Sequence, residues 1–163
     1  MIAVVQFAGD YDWLSNFYVH PFRIEGVSEW WNSAEHAFQA AKATTPELYR
    51  KIRDARTPGE AKRLGRIADV RPSVWNGQRR EIMMRVLMAK FSIPELRERL
   101  AATGTAALVE GNTWGDTYWG AVPEGGKGWN PDLPWWHFDD GTRVYAGQNW
   151  LGRELMMVRE LIS

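Results

Sequence analysis

Apolar side chains recur with a helical period of about 3.6 residues along six segments of the chain. The longest segment, residues 74–91, has a wide apolar face that includes Ile82, Val86 and Phe91. The pattern therefore predicts six α-helices. The first begins near Ser33, and the others cover residues 46–55, 57–68, 74–91, 93–104 and 149–162.

Capping residues mark several ends of these segments. Thr57 can cap the third helix, with Pro58 at its first position and Glu60 completing a capping box. Gly104 is suited to end the fifth helix, and Asn149 can cap the last one. Local residue types and hydrophobic periodicity thus predict the same helix boundaries.

Short β-branched or alternating stretches predict only a few strands. One forms a hairpin whose turn is expected at Glu25-Gly26. The strands do not alternate with helices as βαβ units, which indicates an α+β fold, mostly helical with a few short strands. The expected strands cover residues 2–7, 22–31 as the hairpin, 105–112 and 142–145.

Composition narrows the class of protein. A chain of 163 residues with 45% hydrophobic and 25% charged residues suits one globular domain, expected over residues 1–163. The absence of cysteine excludes disulfides and thiolate metal sites. No apolar run is long enough for a membrane span and the start lacks a signal-peptide pattern, so a cytoplasmic protein is expected.

Charge and motifs exclude further classes. Twenty basic and twenty acidic residues leave no net charge, which argues against coating nucleic acid by bulk electrostatics but not against binding one nucleotide in a pocket. The three histidines have no ligand spacing, so no zinc site is expected. Phosphate-loop and dinucleotide motifs are absent, and no cofactor is predicted.

The first helix carries the most suggestive polar pattern. At about 100° per residue, Glu35, Gln39 and Lys42 share one stripe that Phe38 borders. A solvent-facing stripe with weak charge pairing is one interpretation. The other is one wall of a cleft, where a carboxylate, an amide and an amine supply an acid/base, an orienting group and a nucleophile or cation. Spacing alone does not decide between them.

Three other stretches combine polar groups with loops or helix ends. Residues 108–120 leave a strand and carry Asp116 and Trp119, which fit either a site or an ordinary turn. Residues 147–160 open a helix, whose N–H groups can bind phosphate or simply be capped. The eight Lys and Arg residues between 50 and 71 can contact phosphate or form solvated helix faces.

Six blocks in order along the chain resemble the NADAR, or YbiA-like, family. The blocks are WLSNFYVHPF, SAEHAFQAAKA, TPGEAKRLGR, MMRVLMAKF, DTYWG and GQNWLGRELMMVREL. The resemblance covers nearly the whole chain and implies an α+β fold and cleavage of an N-glycosidic bond. Family members act on phosphoribosylamino-pyrimidine intermediates of riboflavin synthesis or remove ADP-ribose from guanine in nucleic acid, some as antitoxins.

The resemblance also implies roles for individual residues. Glu35 would act as acid or base, Asp116 would orient the ribose hydroxyls or the water, and Lys42 would attack ring-opened C1 to form a Schiff base. His36, about 100° from Glu35, is expected to be a structural hydrogen-bonding residue. The substrate-binding residues that the six blocks imply are Asn16, Phe17, Gln39, Arg66, Trp119, Gly120, Asn149 and Gly152.

The most specific expectation is removal of ADP-ribose from guanine in nucleic acid. The alternatives are action on a small phosphoribosyl or ADP-ribosyl substrate, such as a riboflavin intermediate, and a non-catalytic nucleotide-binding module. Residues 121–146 depart from the family's short glycine-rich link and suggest a Trp-rich insertion. Its Trp129, Trp135, Trp136 and His137 fit a stacking lid for a base or a structural flap.

Overall fold

The computed structural model describes residues 3–137 and 144–162. These residues group into two compact units, a contiguous unit of Ser15–Leu96 and a discontinuous unit of Met1–Leu14 with Arg97–Ser163. The elements, in chain order, are β1 (Ala3–Val5), a 3-10 segment (Gly9–Leu14), β2 (Phe22–Arg23), β3 (Trp30–Trp31), α1 (Ala34–Ala40), α2 (Pro46–Arg53), α3 (Pro58–Gly65), α4 (Pro72–Lys90), α5 (Pro94–Ala102), β4 (Ala107–Val109), β5 (Val122–Pro123), β6 (Trp135–His137), β7 (Val144–Ala146) and α6 (Trp150–Ile162).

The predicted α+β class and its six helices are confirmed. The helices differ from prediction mainly at their ends, and α1 stops at Ala40, so that Lys42 follows the helix instead of lying in it. Glu60 also departs from a capping box, because its carboxylate accepts from the N–H of Arg56 at 2.8 Å and not from that of Thr57. The N–H of Glu60 does donate to the Thr57 hydroxyl as predicted.

The contiguous unit packs four helices beside a short hairpin. Strands β2 and β3 pair antiparallel, with Phe22 opposite Trp31, which confirms the predicted hairpin. Helix α1 contacts α2, α3 and α4, and its alanines allow close approach. The buried cluster between these elements consists of Phe22, Trp31, Ala34, Ala37, Ala40, Ile52, Ala55, Ala61 and Val86.

The discontinuous unit joins distant parts of the chain. Strands β1 and β4 pair in parallel, with Val4 opposite Leu108, and α6 packs on β4. A second, antiparallel sheet has the order β5-β7-β6. The expected strand at 142–145 corresponds to β7 (Val144–Ala146), and its first two residues, Thr142 and Arg143, lie outside the described residues. In the described part of the chain no helix is long and apolar enough to cross a membrane.

Candidate active site

Helix α1 is fixed at its start by a buried hydrogen-bond chain. The Ser33 hydroxyl caps the helix by accepting from the N–H of His36. The His36 ring lies 2.7 Å from that hydroxyl through Nδ1 and 3.0 Å from the Ala55 carbonyl through Nε2. Because His36 is fully buried in these contacts, its predicted structural role is confirmed, and the helix is anchored on the chain after α2.

Glu35 and Gln39 form a buried pair one turn apart on α1. The Gln39 Nε2 donates to Glu35 Oε1 at 2.7 Å, and both side chains are about 95% buried. The solvent-stripe interpretation is therefore wrong for these two residues. Desolvation raises the pKa of Glu35 above its ordinary value, although the Gln39 bond and the charges of Lys62, Lys42 and Arg66 act in the opposite direction.

Gly65 of α3 makes this pair possible. A β-carbon at position 65 would lie about 2.0 Å from the Oε1 of Gln39, where no atom fits. The glycine thus lets α3 approach α1 closely enough to enclose the Gln39 amide. Gly65 therefore contributes to the site through packing. The hydrophobic pattern of α3 does not predict this close contact.

Lys42 lies against two aromatic rings. Its Nζ is 5.6 Å from the ring centroid of Phe38 and 5.1 Å from that of Trp75 in α4. Burial lowers the pKa of Lys42, and the charges of Lys62 and Arg66 lower it further, while Glu35 raises it. Glu35 therefore ionises less readily than an ordinary glutamate, and Lys42 loses its proton more readily than an ordinary lysine. The two groups also interact electrostatically.

Sequence reasoning missed Lys62 and Trp75 among the groups around Glu35 and Lys42. Lys62 lies one helical turn before the predicted Arg66 on α3, so its spacing from Arg66 was the available signal. Its Nζ is 5.5 Å from the ring centroid of Phe17, whose side chain is exposed. Trp75 had no comparable signal, because only the packing of α4 brings it to Lys42.

Asn16 connects its loop to the first turn of α1. Its carbonyl accepts from the N–H of Glu35 at 2.9 Å, and its Nδ2 donates weakly to the sulfur of Met83 at 3.4 Å. The side chain is buried, yet Oδ1 has no hydrogen-bond donor. The Oε1 of Gln39 is in the same state. Two buried acceptors without donors are suited to bind hydroxyl or N–H groups of a ligand.

The remaining predicted residues belong to the discontinuous unit. Asp116 lies in a loop organised by Asn112, whose side chain bonds backbone groups at both ends of that loop. Asp116 Oδ1 accepts from the N–H groups of Tyr118 and Trp119 at 3.0 and 2.9 Å. One oxygen of the predicted second carboxylate thus shapes the turn, and its catalytic role stays a prediction.

Three predicted site residues, Gly120, Asn149 and Gly152, pack against or bond the backbone of β4 and the residue that follows it. A β-carbon at Gly120 would meet the Glu110 carbonyl at 2.2 Å, and one at Gly152 would meet the Leu108 carbonyl at 2.1 Å. The Asn149 side chain bonds the same strand, donating to Leu108 and accepting from Glu110. Asn149 therefore does not cap α6 through its side chain as predicted.

The backbone of β4 thus packs closely against Gly152, at the position where the sequence analysis predicted a bound ligand. Phosphate binding at this helix start stays a prediction.

The Trp-rich segment forms part of the β5-β7-β6 sheet. Trp136 donates to the Gly147 carbonyl at 2.9 Å and lies 5.0 Å from the Arg153 guanidinium. Trp135 is exposed, and its ring centroid is 5.6 Å from that of Trp129 and 6.0 Å from that of His137. Trp136 is therefore structural, whereas the other three rings form a surface that a base can reach.

A surface cavity of about 570 Å³ between α2 and α3 contains none of the predicted site residues. Charged side chains that line this cavity already form ion pairs with each other, as Lys51 does with Glu47 at 2.7 Å. In the part of the chain that the structure describes, no group of three His, Asp or Glu side chains is placed to hold a metal ion. The buried group around Glu35 is thus the best candidate for chemistry.

Comparisons with known proteins identify the family of the chain. The model of the NADAR domain matches residues 6–163. The N-glycosidase YbiA of Escherichia coli is 34% identical over 157 residues, covering 94% of this chain and 83% of YbiA. A riboflavin biosynthesis protein of Vibrio vulnificus is 32% identical over 153 residues, covering 93% of this chain and 35% of that protein.

Structural similarity extends over the whole chain. The NMR structure of Escherichia coli YbiA superposes with a TM-score of 0.71 at 31% identity, covering 99% of this chain and 86% of that one. The six sequence blocks, the domain match and the fold all lead to one family. The chain belongs to the NADAR family.

Proposed function

We propose that the protein is an N-glycosidase that hydrolyses the C–N bond between a phosphorylated ribose and a base or amine. The observation that carries the proposal is the buried Glu35–Gln39 pair with Lys42 beside it, whose two ionisable groups have their pKa values moved towards each other. Ionisable groups whose pKa values are shifted by burial and by a charged neighbour cluster at functional sites. The similarity to proteins named N-glycosidase supports the same reaction class.

In the proposed reaction, Glu35 donates a proton to the leaving nitrogen as the C1–N bond breaks. The neutral amine of Lys42 forms a bond to C1, and the resulting adduct opens to an imine after losing a proton to Glu35. Water then hydrolyses the imine, releasing the sugar and restoring the amine. Gln39 holds the Glu35 carboxyl in place, and Asn16 and Gln39 accept hydrogen bonds from ribose hydroxyls.

Two substrates fit this reaction class. Removal of ADP-ribose from guanine in nucleic acid is our first candidate. Within the discontinuous unit, the exposed rings of Trp135 and His137, with the half-buried Trp129 beside Trp135, offer nucleic acid a surface on which bases can stack. A phosphoribosylamino-pyrimidine is the second, and it is favoured by similarity to proteins named for riboflavin biosynthesis.

A substrate panel separates these candidates. The purified protein is incubated with ADP-ribosylated guanine DNA and, separately, with the phosphoribosylamino-pyrimidine, and mass spectrometry detects the released sugar and base. Turnover of one substrate identifies the leaving group. Binding of either substrate without any turnover would refute the glycosidase and leave a nucleotide-binding module.

Substitutions then test the two catalytic roles. Glu35→Gln and Lys42→Ala should each lower kcat by at least about 100-fold, the usual size of an acid–base contribution, while the protein stays folded by circular dichroism. Lys51→Ala is the matched control, because Lys51 is exposed and paired with Glu47. Full activity in either site variant would remove the corresponding role.

The covalent step has its own test. Borohydride added during turnover should reduce the imine and leave a sugar adduct on Lys42, detectable by peptide mass spectrometry. No adduct in an actively turning-over sample would reduce the role of Lys42 to electrostatic stabilisation.

A further inference from the structure

Helix α3 presents two cations beside the buried pair of α1. Lys62 and Arg66, the residue that caps the end of α3, are four residues apart and therefore lie on one face of the helix. Gly65, on the same side of the helix, packs directly against the Gln39 amide that holds Glu35. The basic face of α3 therefore adjoins the Glu35–Gln39 pair, and both cations act electrostatically on Glu35 and on Lys42.

Neither cation forms a salt bridge among the described residues, in contrast to other basic residues nearby. Arg63 lies 3.8 Å from Glu60 on the same helix, and Arg53 of α2 bonds Asp54 at 2.7 Å. Lys62 instead lies over the Phe17 ring, 5.5 Å from its centroid, which holds the ammonium against an apolar surface. The fold thus keeps two positive charges uncompensated next to one buried carboxyl.

Two buried acceptors in the same region have no hydrogen-bond donor. Asn16 Oδ1 and Gln39 Oε1 are buried acceptors without a partner, and a buried polar atom left unsatisfied destabilises the fold. A ligand with hydroxyl donors satisfies these acceptors, and an anionic group on the same ligand neutralises the two cations. A phosphorylated sugar combines both properties in one small molecule.

We propose that Lys62 and Arg66 form the phosphate subsite, while Asn16 and Gln39 receive the sugar hydroxyls. This assignment rests on the proposed function for the identity of the sugar. It places the phosphate on α3, and it differs from the expectation of phosphate at the start of α6, where Asn149 and Gly152 are occupied by contacts with β4.

The test is a binding comparison that requires no turnover. Ribose 5-phosphate and ribose are titrated into the protein by calorimetry. We expect ribose 5-phosphate to bind at least about 10-fold more tightly, since charge-assisted contacts to phosphate are the stronger kind. Lys62→Met and Arg66→Met should each remove most of this preference without changing the affinity for ribose.

Matched variants keep the test specific. Arg63→Met removes a cation of the same helix that is paired with Glu60, and it should leave the preference unchanged. Lys62→Arg preserves the charge and should retain most of the preference, which separates charge from packing. A preference that survives in the Lys62→Met, Arg66→Met double variant overturns the assignment.

The outcomes for this subsite and for the glycosidase are separable. A phosphate preference that depends on Lys62 and Arg66, with no turnover of any panel substrate, supports the subsite and refutes the enzyme. Turnover combined with a phosphate preference that does not depend on Lys62 or Arg66 supports the enzyme and refutes the subsite. Equal binding of ribose and ribose 5-phosphate by the unsubstituted protein also overturns the subsite.

Discussion

Glu35 and Lys42 show at the scale of single residues how one environment prepares two opposite groups. Burial disfavours the charged form of each side chain, so it raises the pKa of the acid and lowers that of the amine. Burying an ionisable group without a full set of partners lowers the stability of the folded protein. The effect of burying Glu35 should therefore be measurable as a change in the free energy of unfolding when the residue is replaced.

Replacing the acid should make the protein more stable at neutral pH. The unfolded carboxyl ionises above its ordinary pKa of 4.5, whereas the folded one resists ionisation, so Glu35 lowers the free energy of unfolding as pH rises. Glu35→Gln removes this penalty and keeps an acceptor for Gln39. We expect a gain on the order of 1 kcal/mol at pH 7, or about 2–4 °C in Tm.

Thermal denaturation at several pH values checks this sign. The difference between Glu35→Gln and the unsubstituted protein should close below pH 4.5, where the carboxyl is protonated in both states. A variant that is less stable at pH 7 would contradict a raised pKa for Glu35.

The pH dependence of the reaction offers a second test at this scale. In the proposed mechanism, activity requires one proton shared between Glu35 and Lys42, so kcat/KM should follow a bell-shaped curve against pH. The charge of Lys62 lowers the pKa of both groups. Lys62→Met removes that charge, and both limbs of the curve should move to higher pH. Movement to lower pH, or a similar movement in Lys51→Met, would refute this coupling.

At the scale of elements, the site depends on how closely α3 approaches α1. Gly65 supplies that approach, since a β-carbon there would collide with the Gln39 amide. Gly59 lies on the same helix but has only the Thr57 hydroxyl nearby, at 3.9 Å. One helix thus contains a glycine that the site needs and a glycine that it does not.

The two glycines give a matched pair of substitutions. Gly65→Ala should displace Gln39, lower kcat at least about 10-fold and destabilise the protein by about 1–3 kcal/mol, the usual cost of overpacking. Gly59→Ala should leave kcat unchanged and stabilise the protein by about 0.4–1 kcal/mol, because alanine restricts the unfolded chain. Steady-state kinetics and chemical denaturation measure both effects. Equal behaviour of the two variants would contradict the close contact.

The elements also show what sequence can predict and where it fails. Helical spacing was enough to place Glu35 and Gln39 one turn apart, and family blocks added Asn16 and Arg66. The contact of Lys42 with Trp75 was not predictable, because it joins residues 33 positions apart through the packing of α4. Residue type likewise predicted that Asn149 caps α6. The sequence does not show that the side-chain amide of Asn149 binds the backbone of β4 instead.

At the scale of the whole molecule, the chain closes the discontinuous unit by pairing its first strand with residues about a hundred positions later. Val4 lies opposite Leu108 in this parallel pair, and both side chains are buried. Trp13, also buried, lies 4.7 Å from the Arg99 guanidinium. Residues 3–14 therefore contribute Val4, Phe7, Trp13 and Leu14 to the core of this unit.

Deleting residues 1–14 should strongly destabilise the protein. It removes the partner of β4 and several buried side chains, each of which typically contributes about 2–5 kcal/mol, and it leaves β4 with an open edge that favours aggregation. We expect a large fall in Tm and a loss of soluble protein, measured by calorimetry and light scattering. An unchanged Tm would show that β1 contributes little.

The pairing of β1 with β4 also orders events during synthesis. The contiguous unit, with Glu35, Gln39 and Lys42, is complete once Leu96 has left the ribosome, whereas Ala3 must wait for Ala107. At typical elongation rates this wait lasts roughly 5–20 s. A nascent chain can thus order its candidate catalytic groups first, while its earliest strand stays unpaired and open to chaperones until the β4 segment emerges.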